Sequence, residues 1–501
     1  MEDISFSDLN LYQHYYYYQN SVGLLHLPQE VILEILSNLD ANDIKSIFFT
    51  NQFLSMLCKE NKIWKAICKR KWNSSPIFKR RLVSNWSKYY NEKMSIIQNT
   101  GMYWSNITPK GHVPSPRYQN TSSVIDNYIY YIGGQERSDL RFNDIYRLDT
   151  DTHHFEKIFP SGDLPPNFAR HSAAVIGKRI YTFGGFDGFR KHYGLGMYDT
   201  ESNIWQYIYN VSGDVPHPRT NHASCAIGDQ LYVFGGMYKD PEESLIFLND
   251  LYRLDTNTLV WTRLDGQGDV PPPKCGHRLF NFAGKLLLFG GGYGGNWDKK
   301  YNEIHIFDPS NNTWLKADVK GELPVSTFAI CFPMGPFLFV FGGQAMTNDC
   351  LTNDLYMLDT INMEWSKVEV SFPPIPRDMG SGSIVGNTFY LFGGFCGVPL
   401  NSLCSLNFKK KIEDFYAIVP YDGSSTPPPP PPFSLSGPSS PPLQPQQPSI
   451  NNSPTFDNTN NTNNNNNNNN TFDLNNSHNN EQENDNSNNN NRFQRFLTSF
   501  K

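Results

Sequence analysis

The 501-residue sequence carries 42 Lys and Arg against 48 Asp and Glu, a formal net charge of -6, which gives no global case for binding nucleic acid or an anionic membrane. No uninterrupted apolar run of about 18 residues is present to span a bilayer. Eight cysteines without a C-x-x-C pair, and an acidic start, MEDISFSDLN, where a secretory leader needs a basic one, point to a soluble protein of a reducing compartment, cytoplasmic with the nucleus as a second location.

Residues 1–22 carry Tyr15 to Tyr18 but no periodicity, and read as a disordered lead. From Leu27 the texture changes. LPQEVILEILSNLD puts Val31, Ile32, Ile35, Leu36 and Leu39 on one helical stripe, with Pro28 at the helix start, where its missing N–H is harmless. A second helix is expected from Asp43, and a third carries Phe53, Leu54 and Leu57 toward Ile63, Trp64 and Ile67. A unit this small buries too little apolar surface to stand alone, so residues 23–72 predict an interface. The segment resembles an F-box in its Leu27-Pro28 opening, in Ile35 and Leu39, in the Asp43-Ile44 start and in the late Trp64; Phe49 and Phe53 stand where the family usually has Val and Trp. That resemblance implies docking on a Skp1-type adaptor and a cullin scaffold through Leu27, Pro28, Val31, Ile35, Leu39, Ile44 and Trp64.

Residues 73–101 read as a helical linker, with Ser75 as N-cap and Pro76 at the first helical position, carrying Phe78, Leu82, Trp86, Tyr89, Tyr90, Met94 and Ile97. The Lys and Arg residues between Lys59 and Lys93 read as a solvated or partner-facing helix face before they read as a nucleic-acid patch.

Residues 102–420 repeat. Glycine pairs at Gly133-Gly134, Gly184-Gly185, Gly235-Gly236, Gly290-Gly291, Gly342-Gly343 and Gly393-Gly394 recur at intervals of 51, 51, 55, 52 and 51 residues. An Asp precedes an aromatic by six residues at Asp149 and Phe155, Asp199 and Trp205, Asp255 and Trp261, Asp308 and Trp314, and Asp359 and Trp365. Two-residue turn signals such as Asp126-Asn127 and Gly228-Asp229 separate the apolar runs, so each period is a meander of four short strands. Six such units predict a six-bladed β-propeller. The repeats resemble kelch repeats in their double glycine and spaced Trp, and the whole chain is an α+β multidomain protein: helical module, all-β propeller, and a Pro- and Asn-rich disordered tail over residues 421–501.

The sixth unit has Asn407 in its Asp slot and Glu413 where the aromatic belongs, while Trp104 lies 13 residues before Arg117, as Phe155 lies 13 before Phe168. Trp104 is therefore expected to supply the last strand of the sixth blade, with Phe415 to Val419 as the competing candidate. This geometry sends the linker in from the face of the strand one-to-two and three-to-four loops, leaving the post-glycine loops free.

That free face is the expected binding surface for a protein substrate, through Arg137, Arg141, Arg190, Lys191, Tyr238, Trp297, Lys299 and Lys300. Arg117, Arg219 and Arg377 recur at one repeat position; a structural hydrogen bond and an acidic ligand, as bound by several kelch receptors, both fit them. The aligned His171, His222 and His277 come from different blades and do not converge as metal ligands must. No phosphate loop, nucleophile elbow, metal set or cofactor motif is recognisable. The two resemblances together imply a non-catalytic substrate receptor of a Skp1-cullin-F-box ubiquitin ligase; a non-degradative kelch scaffold or cytoskeletal adaptor is the alternative.

Overall fold

The computed structural model describes residues 24–72, 83–98, 102–188, 194–240, 242, 244–295, 299–324, 327–345 and 350–408. The 12 residues before each glycine pair form a hairpin of two five-residue strands, and the pair itself turns the chain. Gly133 and Gly134 hold φ of 60° and 96°, and a Cβ on Gly133 would stand 2.6 Å from the Phe168 carbonyl oxygen, so no other residue fits there. Blade 1 comprises Thr121–Ile125, Tyr128–Ile132, Ile145–Asp149 and His154–Ile158 in antiparallel order, and blades 2 to 5 repeat it. The inter-blade segment adds a short parallel edge: Lys110–Gly111 lies beside His154 and Phe155, and its counterparts do the same in blades 2 to 5.

Blade 6 is closed by the front of the propeller. Trp104–Ile107 pairs antiparallel with Leu403–Asn407, Trp104 opposite Leu406, and Tyr103 bridges Ser371 where the other blades carry their parallel edge. Phe415 to Val419 lies outside the described residues. The side chains continue the pattern across the seam. Trp261, Trp314 and Trp365 each face the Phe that ends the second strand of the preceding blade, at centroid distances of 5.3 to 5.4 Å. Trp104 meets Phe341 at 4.8 Å and Phe155 meets Phe392 at 5.4 Å in the same way. Aromatic burial at this recurring junction is what holds blade to blade.

A second circuit runs around the axis. Two residues after the Arg117 position stand Gln119, Arg170, Asn221, Gly276, Phe328 and Met379, all with φ between 52° and 66°. Each donates its backbone N–H to the carbonyl of its predecessor in the preceding blade, at 2.9 to 3.2 Å, and Gln119 donates to Met379, so six bonds form a closed circle. One residue further on, Asn120 donates to Ser381 at 2.9 Å, His171 meets Thr121 at 3.0 Å and His222 meets Ser172 at 2.8 Å. His277 finds Ala223 at that place in the preceding blade and turns to the Phe234 carbonyl at 3.0 Å. The aligned histidines are thus blade-to-blade fasteners; burial holds His277 neutral, with its pKa pushed down to about 3.

Among the described residues the helical module has five α-helices: α1 Gln29–Asn38, α2 Ala41–Phe48, α3 Gln52–Cys58, α4 Asn61–Trp72 and α5 Trp86–Ile97. Asp40 and Asp43 form a capping box that starts α2, with Asp40 accepting from the Asn42 and Asp43 N–H groups at 2.8 and 2.9 Å. Arg70 of α4 donates to the carbonyls of Ser37 and Leu39 at the end of α1. The linker helix differs from expectation: α5 starts at Trp86, where Asn85 caps Lys88 at 2.9 Å and Asn61 accepts the Trp86 N–H at 2.7 Å. Ser75, Pro76 and Phe78 lie outside the described residues.

Candidate functional site

Backbone bridges set the two faces of the propeller. Tyr118 pairs with Gln135, Ala169 with Phe186, Thr220 with Met237, Cys275 with Gly292, Thr327 with Gln344 and Asp378 with Phe395. The inter-blade and post-glycine loops therefore share one face. The helices dock on the other, against the three-to-four turn of blade 5. There Asp359, only 1% exposed, accepts from Lys93 Nζ at 2.5 Å, from Tyr89 Oη at 2.6 Å and from Asn362 Nδ2 at 2.5 Å. Its other oxygen accepts the Ile361 N–H at 2.9 Å. Tyr89 stacks on Phe337, and Lys93 Nζ sits 4.5 Å from the centre of the Trp72 ring. The equivalent Asp149, Asp199 and Asp255 accept N–H groups of their own turns but meet no helix.

The recurring arginines of the free face are structural. Arg117 donates to the Gly133 carbonyl at 2.9 Å and forks onto Asp144 at 2.5 and 3.1 Å; Arg219 does the same to Gly235 and Asp250. Arg377 reaches the Gly393 carbonyl and Ser402. All three are buried, which removes them from any ligand. The partner position sits just before the third strand: blade 6 keeps Arg377 over an uncharged Ser402, and blade 2 has Phe168 with Gly194, where neither charge remains. Blade 4 has Lys274 with Glu303, but Glu303 binds Lys316 and Lys274 is left buried with its Nζ 4.3 Å from the Tyr301 ring centre and no hydrogen-bond acceptor. Burial pushes the Lys274 amine down to about 8.

The loop residues separate. Arg137 is exposed and pairs with Asp139 at 3.0 Å, and Lys299 is exposed on a two-residue strand beside Tyr293. Tyr238 is half-buried, its ring parallel to His217 on the long hairpin of blade 3, Gln230–Lys239 and Leu245–Asp255, which outreaches the five-residue strands of the other blades. Lys300 is half-buried and donates to the Ala345 carbonyl at 2.7 Å. Arg141, expected at the surface, is buried over the Phe186 ring at 4.8 Å, in room left by Gly188. Arg190, Lys191 and Trp297 lie outside the described residues.

Two further residues at the centre of this face escape a reading based on loops. Arg170, 4% exposed, donates through Nε to Gln119 at 3.0 Å, and burial, with Arg141 nearby, lowers it to about 10. Tyr118 accepts from Gln135 at 2.6 Å and packs on Phe395. The signal was present in the repeat column Gln119, Arg170, Asn221, Gly276, Phe328, Met379, where one cation stands among uncharged residues.

On the helical module, Val31 and Ile35 are 43% and 38% exposed, while Ile32 and Leu36 fill its core. The apolar stripe of α1 is thus two faces. Leu25, Phe49, Phe53 and Met56 of the module are exposed as well, Leu27 and Leu39 are partly buried, and Pro28 is exposed at the N-cap. Ile44 and Trp64 are corrections to the expected surface. At 1% and 3% exposure they belong to the interior, with Trp64 Nε1 donating to the Cys58 carbonyl at 2.8 Å. Among the described residues no group of His, Cys, Asp or Glu could hold a metal, and no helix is long and apolar enough to cross a membrane.

Comparison with known proteins agrees on the propeller. The KLHDC2/KLHL20/DRC7 Kelch-repeats domain matches residues 84–291 and 285–430, leaving helices α1 to α4 outside. Kelch domain-containing protein 3 of Homo sapiens is 28% identical over 265 residues, 50% of this chain and 69% of that protein. Tip elongation aberrant protein 1 of Schizosaccharomyces pombe is 30% identical over 304 residues, 59% of this chain and 26% of that protein. Host cell factor of Drosophila melanogaster is 27% identical over 318 residues, 60% of this chain and 18% of that protein.

Proposed function

The chain belongs to the KLHDC2/KLHL20/DRC7 Kelch-repeats family, whose propeller is a non-catalytic protein-interaction module, and from that premise we propose that it is a two-ended scaffold. The free propeller face takes one protein and the helical module another. The observation that carries this is the placement of the helices: they pack on the three-to-four turn of blade 5, so the loops of the opposite face stay open. Arg137 and Lys299, both exposed there, suit a partner with acidic side chains. Full-length protein is captured with its bound partners, alongside an Arg137→Glu/Lys299→Glu variant and a Val31→Asp/Ile35→Asp variant. One set of partners should depend on the first pair and a different set on the second. Loss of the same proteins from both variants would reject two independent ends.

A second reading gives the helical end a definite partner. The exposed apolar side chains of the helical module, Leu25, Val31, Ile35, Phe49, Phe53 and Met56, favour docking on a Skp1-type adaptor and through it a cullin, which would make the protein a receptor presenting substrate to a ubiquitin ligase. Purified Skp1 should bind the full chain, and Val31→Asp/Ile35→Asp should abolish binding because an unpaired charge is costly in an apolar contact. Equal capture of the folded variant would reject this reading and leave the scaffold intact.

A further inference from the structure

The outer edges of the blades are blunted. The fourth strand of blades 1 to 5 is covered at its start by the parallel inter-blade segment. The next outward N–H, that of Tyr207, Arg263 and Lys316 in blades 2 to 4, goes to the carboxylate of Asp163, Asp214 and Asp269 at 2.9 to 3.0 Å. The long hairpin of blade 3 is different. Val260–Leu264 pairs only with Leu251–Asp255, so Leu245 to Leu248 run past it, paired on one side alone with Gly236 to Lys239. Bonds at both ends fix which backbone groups face outward. At the tip the Asp240 N–H donates to the Ser244 carbonyl at 3.0 Å; at the base Lys274 enters the ladder, accepting from Gly236 at 2.9 Å and donating to the Leu248 carbonyl at 3.0 Å. Ser244, Ile246 and Leu248 therefore face inward, and the alternation of an antiparallel ladder turns the N–H and C=O of Leu245 and Phe247 outward. Among the described residues no partner meets those four groups. The shorter post-glycine hairpins carry charge on the corresponding strand, Arg141 in blade 1 and Lys299 and Lys300 in blade 4. Leu245-Ile246-Phe247-Leu248 has neither a charge nor a proline to discourage pairing.

We propose that this edge accepts an extended segment of a partner protein as an added β-strand, one in which acidic residues alternate with apolar ones. The inference rests on the reading of the free face as a protein-binding surface. Side chains on the two sides of the edge set the alternation. Phe247 lies against Tyr293 at 4.8 Å, and the exposed Lys299 stands opposite Tyr293, so that side suits carboxylates. The half-buried Ile246 stands opposite Tyr238 on the other side, which suits β-branched apolar side chains. At the tip the Asp240 carboxylate is already taken by the Ser244 N–H at 2.7 Å. A second copy of the chain, paired edge to edge through so few residues, would bury well short of the roughly 1,600 Å² of a stable interface. A flexible segment instead lies along the edge and continues over the free face.

The probe is a fluorescein-labelled, end-capped peptide of alternating Glu and Val, seven residues long, titrated into the full chain and read by anisotropy. Saturation with a midpoint below about 1 mM is expected. Leu245→Pro, which removes an outward N–H that the hairpin itself does not use, should weaken binding roughly fivefold. The same peptide with Lys in place of Glu should bind at least about fivefold more weakly. N-methylation of the three central peptide residues should abolish binding, and it tests the same main-chain bonds without altering the protein. No saturation by about 1 mM, equal binding of the N-methylated peptide, or undiminished binding by folded Leu245→Pro overturns the proposal. So does a concentration-dependent dimer in sedimentation that Leu245→Pro abolishes, since a second copy would then occupy the edge. Capture of partners through Arg137 on blade 1 is a separate readout, and it stands or fails on its own.

Discussion

Asp359 and Asp255 occupy the same repeat position, yet removing them should have very different consequences. Each accepts N–H groups of its own turn, but Asp359 also receives Lys93, Tyr89 and Asn362 in a site 1% exposed. Asp359→Ala strands the buried ammonium of Lys93, whose other neighbours are Glu364 at 3.8 Å and the Trp72 ring. Breaking a buried pair from one side costs about 4 kcal/mol. Lys93→Met should cost about 2 kcal/mol, because three donors remain on the carboxylate. The double variant should be no worse than Asp359→Ala alone, since both act through one network. Asp255→Ala, which loses turn bonds and Gln230 at the surface, should cost far less than Asp359→Ala. At roughly 2 °C per kcal/mol, thermal unfolding followed by tryptophan emission resolves these differences, and Trp72 reports from inside the network. A melting temperature for Asp359→Ala no lower than that for Asp255→Ala would refute the claim that this contact fastens the helices to the propeller.

The ring seam gives a second test: Trp104→Ala should destabilise by about 3–5 kcal/mol in urea unfolding, as expected for a buried aromatic, whereas a spectator strand would lose little. Lys274 gives a third, in pH. Its folded pKa of about 8 lies below the ordinary 10.5, so between these values the native state binds fewer protons than the unfolded one and stability rises with pH. The gain should approach about 3 kcal/mol by pH 10.5 and vanish in Lys274→Met, and a flat difference between the two proteins across that window would contradict it. Lys274→Arg should also stabilise the chain at pH 7 by about 1 kcal/mol, read by urea midpoint, because a longer fork can reach Glu303.

The features legible in the sequence are those set by backbone conformation. Gly133-Gly134 and its copies are demanded by positive φ and close backbone approach, and the missing aromatic after Asn407 identified Trp104 as the closing strand. What period alone does not carry is which of two apolar faces points inward. Val31 and Ile35 share a stripe with Ile32 and Leu36, yet only the latter pair is buried, and Ile44 and Trp64 went inside with them. A loop position predicts exposure for Arg141; the space beside Gly188 that receives it depends on blade 2. The docking blade had a readable mark that loops alone do not offer. After the turn Asp the other blades carry Asp151, Glu201, Asn257 and Ser310, all exposed, whereas blade 5 has Ile361, fully buried.

The circle of backbone bonds at the axis uses no side chain. Its six members, Gln119, Arg170, Asn221, Gly276, Phe328 and Met379, accordingly share a conformation and nothing else: two amides, a cation, a glycine, an aromatic and a thioether. Substitution at any of them changes what is displayed without breaking the N–H to carbonyl link that positions it, within the modest strain that a left-handed φ imposes. The axis therefore works like a fixed type case with six interchangeable letters. New specificities at the mouth of the channel could be spelled one residue at a time while the frame that holds them stays untouched.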